Sequence, residues 1–284
     1  MAAWSLSLFT RLNSKSHWNL ILVLGLLIII GCEADDFNLD NPLDPKNPEF
    51  IPPEVSITSG PSNDDVISTS YTKFNWEGNR PFMLFKYAFD GEWTEWTDQK
   101  SVEFSFLDEG DHSFLIKSTY TTETGDTSGH ESELLTVEFE VDAVEGPAIM
   151  FYPRRHISSA GETVTFQVLA EEVENLTAAE FKIEYDTRRL IIQSISQGDV
   201  FIGSGESLFH VEIDSLNGEF SILTAMLGGD TPSFSGTSNL LSVEVKIIEA
   251  VQTELNFDGS EVFRDPDNNS ITINETVDGR IEGM

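Results

Sequence analysis

Outside the N-terminal leader, four histidines could serve as ligands or bases: His112, His130, His156 and His210. They are scattered. His130-Glu131 is followed by Leu134 where a second histidine would stand, so the H-E-x-x-H zinc spacing fails. Gly203-Ser204-Gly205 lacks the spacing of a nucleophile elbow, and no glycine fingerprint for phosphates or dinucleotides is present. With 49 acidic side chains, any pair of carboxylates is uninformative as an acid and base. Asp265, Asp267 and Asn269 match the first three oxygen ligands of a calcium loop, but Ser270 stands at its glycine and Thr276 at its bidentate glutamate. That segment reads either as a Ca2+ site or as an acidic turn. Trp93 and Trp96 could form an aromatic platform for sugar, or one of them could fill a core. Cys32 is the only cysteine, which leaves no disulfide within the chain and no thiol for catalysis or a cysteine-based metal site. These residues assemble no catalytic set, and the chain reads as a non-enzyme with no cofactor.

The elements that would carry these residues are strands. The 284 residues are 39% hydrophobic and 23% charged, which suits one or two globular domains. From 54 to 142, short alternating runs are separated by Gly, Asp, Asn and Ser clusters. Lys73-Phe74-Asn75-Trp76, Phe85, Tyr87 and Phe89 before an Asp90-Gly91 turn, and Val137 to Val141 carry the pattern. About seven strands in some 90 residues predict an immunoglobulin-like sandwich. From 143 to 284, about nine strands predict a second sandwich of jelly-roll type. Its centre is the stretch 176–201, L-T-A-A-E-F-K-I-E-Y-D-T-R-R-L-I-I-Q-S-I-S-Q-G-D-V-F. There Phe181, Ile183 and Tyr185 alternate with Glu180, Lys182 and Glu184, a period of two that buries one face.

The net charge of −33, from 16 basic and 49 acidic residues, excludes nucleic acid as a partner and attraction to anionic lipid by charge. Residues 1–31 read as a signal peptide. Arg11 and Lys15 form a basic start, and the apolar run 20–30 is too short to span a bilayer, which takes about 20 residues. The run ends in Ile29-Ile30-Gly31-Cys32, which resembles the lipobox of bacterial lipoproteins and implies acylation of Cys32. Glu33-Ala34-Asp35-Asp36 resembles the surface-export signals of some Bacteroidetes lipoproteins. The expected location is therefore the bacterial outer membrane or cell surface. Residues 32–53 form a Pro/Asp-rich tether. Its five prolines between 37 and 53 favour extended polyproline-like chain, reaching about 60 Å at about 3.1 Å per residue.

Residues 176–201 resemble the middle of a cohesin domain, whose pattern there is roughly F-x-hydrophobic-x-Y-D, then L, then G-x-x-F. The resemblance continues through Gly161-Glu162, the small-residue loop 233–238 before Leu240-Leu241, and Val277-Asp278-Gly279-Arg280-Ile281. It implies a non-catalytic module that binds a dockerin-like protein through one exposed sheet face. The matching outward residues are Glu180, Lys182, Glu184, His210, Glu212, Ser221 and Leu223, which also read as a plain solvated strand face. The phrase from Lys86 to Trp96, K-Y-A-F-D-G-E-W-T-E-W, resembles the small sandwich of hybrid two-component sensors, a spacer or interaction unit. Two readings follow. One is a lipid-anchored scaffolding protein displaying a cohesin-like domain, in an assembly that could degrade polysaccharide. The other is a carbohydrate-binding surface lipoprotein using Trp93 and Trp96.

Overall fold

A computed structural model describes residues 43–121, 125, 127–202, 206–228 and 232–284. The leader 1–31, Cys32, the acidic run 33–36 and Gly203-Ser204-Gly205 lie outside the described residues. The chain divides into two compact units, Met1–Pro52 and Pro53–Met284. In the first, the described part of the tether is turned, not extended. Asn47 N donates to Asp44 O (2.8 Å) and Phe50 N to Asn47 O (2.9 Å). The side chains of Asp44 and Asn47 accept from Lys46 N and Glu49 N. Each turn is an Asx-Pro pair with proline second, where its fixed φ favours a turn over an extended run. The expected polyproline stretch fails here because the acceptor side chain before each proline wins.

The second unit is all-β, built as sandwiches. Eight strands come first: β1 (Val55–Ser59), β2 (Asp65–Ile67), β3 (Tyr71–Gly78), β4 (Met83–Phe89), β5 (Ser101–Ser105), β6 (Gly110–Thr121), β7 (Thr127–Glu131) and β8 (Leu135–Val141). A three-stranded sheet β1-β3-β5 packs on β2-β8-β6-β4, with β7 paired to β6. Alternation along β3 buries Phe74 and Trp76. Phe74 stacks on Phe114 at 4.0 Å, and Trp76 meets Phe85 edge-on at 6.1 Å. Trp76 is thus the core tryptophan of this sandwich. Trp93 and Trp96 are not core residues, which corrects the expectation that one of them fills it.

Thirteen strands and one short helix follow. They are β9 (Ala148–Tyr152), β10 (Arg155–Ser158), β11 (Thr163–Leu176), β12 (Ala178–Tyr185), β13 (Leu190–Gln197), α1 (Asp199–Ile202), β14 (Glu206–Asp214), β15 (Glu219–Leu227), β16 (Phe234–Ile247), β17 (Thr253–Phe257), β18 (Val262–Arg264), β19 (Ser270–Ile271), β20 (Glu275–Val277) and β21 (Gly279–Gly283). A five-stranded sheet β13-β16-β11-β9-β20 faces an eight-stranded one, β10-β21-β17-β12-β15-β14 with β18 paired to β12 and β19 to β18. Phe151, Phe166, Phe181, Phe201, Phe220 and Phe263 fill the space between them. Two glycines are dictated by space. A Cβ on Gly198 would strike the backbone of Asn239 and Leu240, and Gly218, at φ 74, sits against Tyr185 O in the β14–β15 turn. Strand β11 runs on to Leu176 where alternation alone ends it at Ala170. It does so by breaking register, with Glu172 and Asn175 at positive φ. The short strands β10 and β20 pair in parallel with β21 and β9, a non-local pairing that leaves no periodic trace in the sequence.

A charged junction joins the two sets of sheets. Arg154, 6% exposed, pairs with Glu109, and its backbone N donates to Asp108 Oδ1 (2.6 Å). Glu109 Oε2 accepts from Ala143 N (2.9 Å). Burial raises the carboxyl pKa values of Asp108 and Glu109 despite the nearby Arg154. Glu171 is raised by burial and by the carboxylates of Glu109, Glu172 and Asp142. Its Oε1 accepts from Thr237 Oγ1 (2.9 Å), while its Oε2 is buried without a partner. His112 bridges Asp90 Oδ2 (2.6 Å) and Asp108 O (2.9 Å), and the Asp90 hydrogen bond raises its pKa above the ordinary 6.5.

These shifts share one sign. A buried carboxyl with a raised folded pKa loses stabilisation as pH climbs from the unfolded value through the folded one. The raised His112 likewise stabilises fully below 6.5 and stops doing so as pH passes its folded value. In the opposite direction, Asp186 (about 2), Asp214 and Asp265 are lowered by hydrogen bonds and lose stabilisation as pH falls below the ordinary 3.8. Thermal melts should therefore show maximal Tm at roughly pH 5, a decline toward pH 8 and a steep loss below about pH 4. Glu171→Gln keeps the Thr237 acceptor and removes the buried charge. It should raise Tm by roughly 2 °C at pH 8 and flatten the alkaline decline. A Tm lowered at pH 8 would show that the Glu171 charge stabilises the junction.

Candidate binding face

The strand β12 buries Ala179, Phe181, Ile183 and Tyr185, so its remaining side chains must leave the core. Register then decides what lies beside them. Across β12, β15 and β14 the directly paired rows are Ala178–Ala225–Leu208, Glu180–Leu223–His210, Lys182–Ser221–Glu212 and Glu184–Glu219–Asp214. All seven residues singled out from the sequence on this sheet, Glu180, Lys182, Glu184, His210, Glu212, Ser221 and Leu223, share this one open face.

The face is graded. At one end Leu208, Leu223 and Leu227 are 39%, 38% and 45% exposed, beside Ala178 and Ala225. At the other end Glu184, Glu219 and Asp214 stand in one row. Lys182 lies between Glu219 (3.5 Å) and Asp258 (3.7 Å), and Glu219 first, then Asp258, raise its pKa. The single cation of these rows is therefore already paired, and the face presents apolar surface backed by negative charge. Beyond the acidic end a polar hollow of about 440 Å3 opens, lined by Glu184, Asp186, Arg189, Asn217 and Glu254 among others. Asp186 is held ionised, at about 2, by hydrogen bonds from Arg188. Leu208, Ala225, Leu227, Asp214 and Glu219 were not anticipated as members of the face. Counting by two from His210 reaches Leu208 and from Leu223 reaches Ala225 and Leu227, so the signal was present.

The other sequence candidates lie elsewhere. Both oxygens of Asp265 are taken by Asn269, which donates its backbone N (2.7 Å) and side-chain Nδ2 (2.9 Å). Asn269 thus offers donors where a cation needs oxygen. Asp265, Asp267 and Asn269 form the acidic turn between β18 and β19. Among the described residues no cluster of His, Cys, Asp or Glu is arranged to hold a metal. Trp93 and Trp96 lie together on the first sandwich. Their segment is held to β4 by the bridges Ala88–Trp93 and Phe85–Thr97.

A family model, the cohesin domain, matches residues 156–282. A cohesin domain therefore occupies this stretch, and it contains the whole graded face. Among solved structures, a non-cellulosomal cohesin from the archaeon Archaeoglobus fulgidus is 18% identical, with 47% of this chain and 88% of that one covered at a TM-score of 0.39. The sixth cohesin of scaffoldin B from Acetivibrio cellulolyticus, solved with a dockerin, is 16% identical over 49% of this chain and 100% of its own, at 0.44. A type I cohesin from a cohesin–dockerin complex of Clostridium thermocellum is 18% identical over 48% and 96%, at 0.42. No curated protein matches the chain.

Because the open row does not hold the fold, its residues should be replaceable. Glu180→Ala and Leu223→Ala should each change unfolding free energy by less than about 0.5 kcal/mol. Phe181→Ala, one position away, should cost about 3–5 kcal/mol in urea titrations. An equal cost for Leu223→Ala would place that side chain in the core.

Proposed function

We propose that this protein is a non-catalytic, lipid-anchored display module whose cohesin domain holds a dockerin-like protein partner outside the cytoplasm. The observation that carries this reading is the graded face. Three exposed leucines on adjacent strands form an apolar patch with carboxylates along one side, on a domain of a family that binds dockerins. Burial of that patch would supply the affinity, at roughly 25 cal/mol per Å2 of apolar area removed from water. The carboxylates would orient the partner. With Lys182 already paired, the fitting partner surface is apolar at its centre and basic toward the Glu184–Glu219–Asp214 row. The first sandwich serves as spacer. The anchor rests on Ile29-Ile30-Gly31-Cys32 and on this being the chain's one cysteine. The bacterial outer membrane, with the domain at the cell surface, is the location that the leader and the acidic run after Cys32 favour.

Immobilised full-length chain should retain, from lysate of the source organism, a protein bearing a duplicated dockerin motif, with calcium and not with chelator. Leu223→Glu should weaken that retention at least about tenfold by placing a charge in the apolar patch. A dockerin protein held equally well by Leu223→Glu would move the site off this face, and retention of no dockerin protein would overturn the reading. For the anchor, cells fed a labelled fatty acid should label the wild-type chain and not Cys32→Ala. Label that survives in Cys32→Ala would refute lipidation at that residue.

A further inference from the structure

We infer that the first sandwich carries a second binding site, centred on Trp93, Trp96, Lys86 and Lys117, for a glycan bearing isolated uronic-acid groups on an otherwise neutral backbone. Lys86 and Lys117 are direct cross-strand partners on β4 and β6, so both ammonium groups leave the sheet on one face. Like charges placed opposite each other are unfavourable, and an anion above the pair would relieve the repulsion. Lys117 has Glu131 at 3.1 Å. Lys86 has no carboxylate partner among the described residues. Its ammonium lies 5.3 Å from the Trp93 ring centre and 5.7 Å from that of Trp96. The ammonium of Lys117 is also 5.9 Å from Trp93.

The contrast with the rest of the chain gives this arrangement its meaning. The protein has 16 basic and 49 acidic residues, and several other basic side chains are matched to acids: Lys73 to Glu103, Lys182 to Glu219, Arg154 to Glu109, and the paired Arg155 and Arg280, which also stand over the Phe106 ring, to Glu282 and Glu254. Here two cations stand together against aromatic faces, one ring being 38% exposed. An indole face accepts the C–H face of a pyranose ring, and an adjacent pair of ammonium groups accepts a carboxylate. A uronic acid supplies both. The net charge of −33 sets the other limit, since a dense polyanion would be repelled as a whole while a sparse one would not. This site is independent of the dockerin reading and lies on different strands.

The test uses the full-length chain with three polymers: a xylan carrying sparse glucuronic-acid side groups, the same xylan after carboxyl reduction, and polygalacturonate. Affinity electrophoresis and titration calorimetry give the binding constants. The sparse glucuronoxylan should bind, with carboxyl reduction weakening it at least about tenfold and salt weakening it further. Trp93→Ala and Lys86→Gln should each reduce binding about tenfold, with thermal melts run alongside to show that the variants stay folded. Leu223→Glu should leave it unchanged, so loss of this site and loss of the dockerin face are separable. Equal binding of the reduced xylan would overturn the anionic class, and tighter binding of polygalacturonate would overturn the sparse-charge limit. No binding to any of the three, or binding untouched by Trp93→Ala together with Lys86→Gln, would overturn the site.

Discussion

The period-two geometry of β12 is the constraint on which the cohesin domain turns. A strand paired on both sides cannot rotate, so burying Phe181, Ile183 and Tyr185 obliges Glu180, Lys182 and Glu184 to face outward. A slip of one residue would send three carboxylate or ammonium groups into a core of phenylalanines, which desolvation forbids. The same register then carries the graded face, because each outward residue of β12 selects its neighbours on β15 and, through β15, on β14. Fold and candidate site are in this sense two sides of one strand.

Charge organises what the strands leave open. A chain so acidic gains little from isolated surface carboxylates and is destabilised by their mutual repulsion. The few cations therefore stand where they matter. Arg154 neutralises part of the junction between the sandwiches, Lys182 holds the middle of the open face, and Arg188 and Arg189 meet Asp186 at its corner. The junction keeps more carboxyls than Arg154 can balance, so its packing responds to pH through Asp108, Glu109, Glu171 and His112. Lys86 departs from this pattern, standing on the rings of Trp93 and Trp96 opposite Lys117.

Much of the fold was legible because the dominant signal is local. Alternation in β3, β12, β15 and β16 marks the inward rows, and the Asn217-Gly218 turn joins β14 to β15 through a residue that must take positive φ. What escaped was non-local or irregular. The three-residue strands β2 and β18 and the parallel pairs of β10 and β20 depend on partners far along the chain. The bend in β11 after Ala170 depends on two residues forced into the left-handed region. For the site, seven members including Leu223 were found from alternation and the family pattern, whereas Leu208 and Leu227 were passed over because apolar residues in a strand are ordinarily read as core.

By itself the amino-acid sequence determined the all-β class, the inward rows of the second sandwich and the seven outward residues of its face, since strand periodicity is a property of neighbours. The tertiary structure alone decided that Trp76 and not Trp93 or Trp96 fills the first core. It also decided that Lys86 meets Lys117. Which tryptophan is buried and which charges stand opposite are questions of strand pairing. Pairing between segments 30 or more residues apart is set by the packing of the whole sheet, on which no short stretch of sequence carries information.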